Sequence, residues 1–148
     1  MSVALLDVNI LLGLFWENHV FHGRISEWFA SAENHAWATC PITEQGFVRI
    51  VSNVTYMKPA PGVQAALELL QQATEASNNH EFWADDLPLS ALSEPLKQRL
   101  RGHKQITDAY LLALAIHRKG KLVTFDPRMR TLAPEGSAEA DALVILRS

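Results

Sequence analysis

The sequence has a single cysteine, Cys40, in 148 residues. An internal disulfide framework is therefore excluded, and the composition fits a reducing compartment. No apolar run approaches the roughly 18 residues that span a bilayer. The N-terminal stretch carries no basic residues, and Asp7 breaks its first apolar run. No secretory signal is expected, and a cytoplasmic protein without membrane association is. Internal repeats, low-complexity tracts and linkers are lacking. So are the G-x-S-x-G elbow, the P-loop and the G-x-G-x-x-G fingerprint, which removes the chemistries those signatures carry. His19 and His22 stand at i, i+3, but no cysteine or further histidine completes a zinc set.

What is present describes a globular chain. Hydrophobic residues make up 48% and charged residues 20%, enough for one domain over residues 1–148 with a core that needs no staples. The formal net charge of −3 is unevenly spread. The window from Lys97 to Arg130 holds nine basic residues against only Asp108 and Asp126, a formal +7, and the remainder carries −10. Such a window suits a polyanion held beside a metal site, or is a solvated basic face.

Short apolar runs alternate with helical periodicity along the chain. Val3 to Leu6, Trp37 to Cys40, Glu81 to Ala84, Leu122 to Phe125 and Leu143 to Leu146 read as strands. Between them, Ile10 to Trp16 reads as helical, and Phe21, Ile25, Trp28, Phe29 and Ala32 mark the face of a second helix. Thr43 is the expected N-cap of a helix reaching Val51. Pro61 opens one with a stripe of Val63, Ala66, Leu67, Leu70 and Ala73. Ser93 caps a short helix with Pro95 at its start. Asp108 begins a helix closed by Arg118, Lys119 and a Gly120 stop, and Ala133 to Ala140 reads as a surface loop. The pattern predicts a three-layer α/β/α fold around a parallel sheet of about five short strands.

Four acids share matched placements. Asp7 and Asp126 close strands at the carboxyl edge, where open α/β sheets bind ligands. Glu44 and Asp108 head apolar stripes: Glu44, Phe47, Val48 and Val51 repeat the spacing of Asp108, Leu111, Leu112 and Ala115. Each acid also has an ordinary reading as a cap, a dipole partner or a turn former. Inward acids need a partner, and a shared hard cation such as Mg²⁺ is one. A carboxylate cluster holding metal can activate water against a phosphodiester. Clustered charges repel, so Asp126→Asn is expected not to lower metal-free stability. Asp85 and Asp86, behind the third strand, either join this site or belong to a polar loop.

The stretches LLDVNILL, TEQGFVRI, ITDAYLLALA and VTFDPRM, in this order across nearly the whole chain, resemble the four acidic motifs of PIN-domain ribonucleases. The closest resemblance is to VapC-type toxins of bacterial toxin–antitoxin pairs. The resemblance implies a Mg²⁺- or Mn²⁺-dependent endoribonuclease with Asp7, Glu44, Asp108 and Asp126 holding the metal. It implies Asn9 and Thr124 as polar supports behind the acids, a small antitoxin partner and a homodimer. From the basic window, Lys104 and Arg128 are the expected contacts to the RNA backbone. Two other readings stand beside it: an RNA- or metal-binding module without turnover, and a phosphotransfer domain with Asp7 as nucleophile. Asn9 argues against the second, since an Asp-x-Asp phosphatase places an acid there.

Overall fold

The computed structural model describes residues 2–15, 22–31, 36–56 and 61–147. Trp16, His19, Phe21 and Ala32 of the expectations above lie outside these residues. Five strands form one all-parallel sheet: β1 (Ala4–Leu6), β2 (Trp37–Thr39), β3 (His80–Phe82), β4 (Lys121–Thr124) and β5 (Leu143–Ile145), in the order β3-β2-β1-β4-β5. Among the described residues six α-helices connect or cover them: α1 (Val8–Phe15), α2 (His22–Ser31), α3 (Pro41–Val51), α4 (Val63–Ala76), α5 (Glu94–Arg99) and α6 (Ile106–His117). Among the described residues no helix is long and apolar enough to cross a membrane.

The layers follow from the two-residue alternation of strands that are buried on both faces. Leu5, Ala38 and Leu122 face one core with Leu96 and α6. Ala4, Leu6, Trp37 and Val123 face the other, with Ile10, Ile25, Phe47, Ala66 and Leu70. Helices α5 and α6 thus cover one face and α1 to α4 the other. Helix α6 is buried continuously from Ala109 to Ala115, because the sheet lies on one side and the α5 region and the segment around Met129 and Leu132 on the other.

Several boundaries differ from the sequence reading, each for a local reason. Helix α3 starts at Pro41, with Cys40 as its N-cap. Proline at the first helical position carries the φ a helix needs and lacks an N–H that would go unpaired. Thr43 sits one turn in, where its Oγ1 accepts from the Cys40 backbone N–H at 3.0 Å. Gly62, not Pro61, precedes α4. Only part of the expected α4 stripe is covered: Ala66 and Leu70 are buried, whereas Val63 and Leu67 are 53% and 47% exposed. The segment after Ala133 is not all surface. Ser137 caps a 3-10 turn over Ala138–Ala142, within which Glu139 is buried.

The end of α6 also departs from expectation. The left-handed residue is Lys119, at φ 58°, and Gly120 lies one residue beyond. The Lys119 N–H donates to the Ile116 carbonyl at 3.0 Å and the Gly120 N–H to Ala115 at 2.8 Å, the paired bonds of a Schellman end. Gly120 is required for space instead, since a Cβ there would collide with the Val3 carbonyl oxygen and the Trp83 ring. Lys119→Gly is therefore expected to stabilise the protein by about 1 kcal/mol by removing the left-handed penalty. Gly120→Ala is expected to destabilise it by about 1–3 kcal/mol. Urea unfolding of both variants measures this; a loss in Lys119→Gly would refute the account.

Candidate active site at the reversal of strand order

Strand order runs outward from β1 to β3 on one side and from β4 to β5 on the other. The chain thus reverses between β1 and β4, and the crevice at their carboxyl ends is where such sheets bind ligands. Asp7 directly follows β1. Its backbone N–H continues the ladder to the Val123 carbonyl at 3.0 Å, and its carbonyl accepts from Ile10 and Leu11 as α1 begins. Asp126 lies two residues past β4, where its Oδ1 accepts from the Arg128 N–H at 2.9 Å and starts a 3-10 turn over Pro127–Thr131. Asp108 comes from above, in the first turn of α6.

These three carboxylates feel one another. Burial, and then the charges of Asp7 and Asp126, push Asp108 up to about 6. Asp7 is also raised by burial, opposed by the hydrogen bonds it accepts from Thr124 and Val8, with Asp126 adding to the rise. Asp126 is held low, chiefly by the bonds Arg128 donates. Charge repulsion at the crevice is therefore concentrated on Asp108. Asp126 itself has a local counter-ion in Arg128, so the repulsion that Asp126→Asn would relieve is borne by Asp108 and Asp7.

Thr124, Asn9 and the backbone lock the crevice from behind. The fully buried Thr124 donates through Oγ1 to Asp7 Oδ2 at 2.8 Å. The same oxygen accepts from Asn9 Nδ2 at 3.2 Å and from the Asp126 N–H at 3.1 Å. Asn9 Oδ1 accepts from the Phe125 N–H at 3.2 Å. One hydroxyl thereby joins both strand-end acids.

Glu44 lies at the same edge of the sheet, in the first turn of α3 behind β2. The charges acting on Asp108 are those of Asp7, Asp126 and Arg128, so the structure links three of the four expected acids, and Glu44 is not among the charges that act on any of them. Its Oε2 accepts from Thr39 Oγ1 at 2.6 Å. Thr39 Oγ1 also lies 2.8 Å from His80 Nε2. A hydroxyl has one proton to give. Thr39 spends it on Glu44 and so accepts from a His80 that is protonated at Nε2, while burial lowers the His80 pKa. Neither Thr39 nor His80 was picked out from the sequence. The available signal was a threonine inside an otherwise apolar strand; nothing local marks a histidine 41 residues away as its partner.

Of the expected RNA contacts, Lys104 is exposed in the 3-10 turn before α6. Arg128 closes a fork on Asp126 instead, through Nε to Oδ1 at 3.0 Å and Nη2 to Oδ2 at 2.9 Å. The +7 window is also partly neutralised by acids from outside it: Lys97 pairs with Glu94, Arg99 with Glu139 and Arg118 with Asp86. Asp86 thereby sits at the end of α6 opposite to Asp108. Asp85 acts on Tyr110, and neither residue is among the charges that act on the crevice acids.

Among the described residues no three His, Cys, Asp or Glu side chains are grouped, as placed, to ligate one ion; Asp126 faces Arg128, and Asp7 faces Thr124 and Val8. By chemistry the donor set still suits a hard divalent cation. It is all carboxylate oxygen, and its mutual repulsion is what such an ion offsets.

A doubly covered parallel sheet with acids gathered at its reversal point defines the class of protein. The chain belongs to the PIN domain family, whose profile matches residues 4–134. It is 45% identical over 133 residues to Ribonuclease VapC38 of Mycobacterium tuberculosis strain H37Rv, covering 90% of this chain and 92% of that protein. It is 41% identical over 136 residues to Ribonuclease VapC39 of the same strain, covering 92% of this chain and 97% of the relative. It is likewise 41% identical to Ribonuclease VapC44, over 92% and 94% of the two chains.

Proposed function

We propose that this chain is a VapC-type ribonuclease, a metal-dependent endoribonuclease that acts as the toxin of a toxin–antitoxin pair. The observation that carries the reading is the placement of Asp7, Asp108 and Asp126 at the reversal of strand order, where the charges of Asp7 and Asp126 act on Asp108. Relatives named as ribonucleases that align over nine-tenths of the chain support it. Mg²⁺ or Mn²⁺ would be held by Asp7, Asp108 and Asp126, with Glu44 as the fourth acid. A bound ion of this kind supplies an activated water and neutralises charge on the phosphodiester.

The chain's own groups do the positioning. Thr124 fixes the Asp7 carboxylate, and Thr39 with His80 fixes Glu44. Asp108 has to be ionised to serve as a ligand, so metal affinity should weaken as pH falls through about 6. Lys104 holds the RNA backbone, and Arg128 does so once released from Asp126. The implied setting is the cytoplasm, with RNA as substrate, a small antitoxin as partner and a homodimer as the assembly. The reading without turnover has one observation on its side, the Arg128 fork on Asp126.

Purified protein incubated with total RNA separates the two. Cleavage in Mn²⁺ or Mg²⁺ that EDTA abolishes is expected; RNA binding with no cleavage under any of these ions would sink the enzyme reading. Expression without a partner is expected to arrest growth, and robust growth with soluble wild-type protein at high level would count against a toxin. Binding of single-stranded RNA should weaken steeply with salt. Lys104→Ala should flatten log K against log salt by roughly 0.7, with Lys119→Ala, at the far end of α6, leaving the slope unchanged. Equal slopes in all three proteins would move the substrate off the Lys104 side.

A further inference from the structure

A cavity of about 490 Å³ opens beside the acid crevice, over the carboxyl ends of β4 and β5. Its walls include Phe125 and Pro127, the two residues that flank Asp126 in the chain, so it shares a wall with the crevice. Ile145 and Leu146, at the end of β5, form its apolar floor. Phe125 is held in place through its backbone N–H, which donates to Asn9 Oδ1 at 3.2 Å, and it packs against the core cluster that includes Leu146.

The rim is charged and mostly positive: Arg130 and Arg147 against Glu135. Arg130 is half-buried and anchored by donating through Nη1 to the Ala133 carbonyl at 3.3 Å. The backbone at Arg147 is tied by Arg24, whose Nε donates to its carbonyl at 3.0 Å. An aromatic ring, a proline face and two guanidinium groups around an apolar floor suit a flat heteroaromatic ring attached to an anionic backbone.

We propose that this cavity takes one unstacked base of a single-stranded RNA, next to the phosphodiester at the acid crevice. The proposal rests on the nuclease reading for the place of the phosphate. The path of the chain supports the adjacency: Thr124 and Asp126 serve the acid side, while Phe125 between them packs on the cavity side, as alternate residues of an extended segment do. A base in the cavity would fix which linkage meets Asp126, so the cavity contributes to sequence preference.

The test titrates metal-free wild-type protein with AMP, GMP, CMP and UMP and reads backbone amide signals by NMR. Ribose 5-phosphate, which lacks the base, is the control. At least one nucleotide is expected to shift the amides of Phe125, Ile145 and Arg147 saturably, with ribose 5-phosphate at least about fivefold weaker, as loss of base stacking implies. Arg147→Glu, an exposed change that leaves the core intact, is expected to weaken that nucleotide severalfold; Ile145→Phe, which fills the floor, is expected to abolish its shifts. Ribose 5-phosphate binding as well as any nucleotide would overturn the proposal in favour of an anion site. So would shifts confined to other parts of the protein, or no saturable shift at all. Nucleotide binding requires neither metal nor cleavage, so a protein that binds UMP here but never cuts RNA would fail the nuclease reading and keep the cavity. One that cuts RNA without binding any nucleotide here would do the reverse.

Discussion

Asp108→Asn is expected to lower RNA cleavage by more than roughly a hundredfold while raising the stability of the metal-free protein. The first effect follows from removing one of three crevice acids, a loss that should exceed the 10–100-fold usual for groups behind a metal ligand. The second follows from repulsion. Asp108 has its pKa pushed up to about 6 from an ordinary 3.8 by burial and by Asp7 and Asp126. A carboxyl raised in the folded state costs stability in full above that value. The cost shrinks as pH falls through about 6 and vanishes below the ordinary value. Asp108 is only half-buried, so screening by solvent leaves roughly 1 kcal/mol of the cost. That corresponds to a melting gain of about 2–4 °C for a chain of this size. Thermal unfolding in EDTA at pH 7.5 and pH 4.5 is the measurement. The variant should lead in full at the higher pH and by roughly a third as much at the lower one. A variant that melts below wild type at pH 7.5 would show that Asp108 is a structural cap whose charge the fold needs.

Thr124→Val is expected to cost 10–100-fold in metal affinity and in cleavage rate, through partners rather than through direct contact. The substitution keeps the shape of a fully buried side chain and removes one hydroxyl. That hydroxyl donates to Asp7 Oδ2 and accepts from Asn9 Nδ2 and the Asp126 N–H. Three polar groups lose a bond at once, so a stability loss of about 1–3 kcal/mol should accompany the change. Thr124→Ser keeps the hydroxyl and should restore most of both. Calorimetric titration with Mn²⁺ on wild type and both variants decides it. If Thr124→Val binds Mn²⁺ as tightly as wild type, the hydroxyl does not orient the acids.

Much of this architecture was legible in the chain. The runs at Val3 to Leu6 and Leu122 to Phe125 are apolar but for Thr124 and do not alternate, as strands covered on both faces require. Asp7 and Asp126 then had to fall at strand ends. Where local patterns compete, the element boundaries lie a residue or a turn away from the strongest local signal. Thr43 looks like a cap, but Pro41 needs no donor and takes the first position, leaving the threonine to bond back to Cys40. Gly120 looks like the left-handed stop of α6, yet Lys119 adopts that conformation, and the glycine is there because β1 and Trp83 leave no room for a Cβ.

By itself the sequence determined the layered α/β/α arrangement, the placement of four acids at the carboxyl edge and the family resemblance that the profile over residues 4–134 bears out. These are legible because hydrophobic period, capping and turn chemistry act between residues a few positions apart. Tertiary structure alone decided which polar groups distant in the chain meet. The strand order puts β4 beside β1 and so brings Asp126 and Thr124 to Asp7 across more than a hundred residues. It pairs β2 with β3 and so places His80 behind Thr39 and Glu44. It carries Asp86 and Glu139 onto a window that reads as +7 in isolation. Partner choice among polar groups depends on distances that only the assembled sheet sets, and composition along the chain holds no record of them.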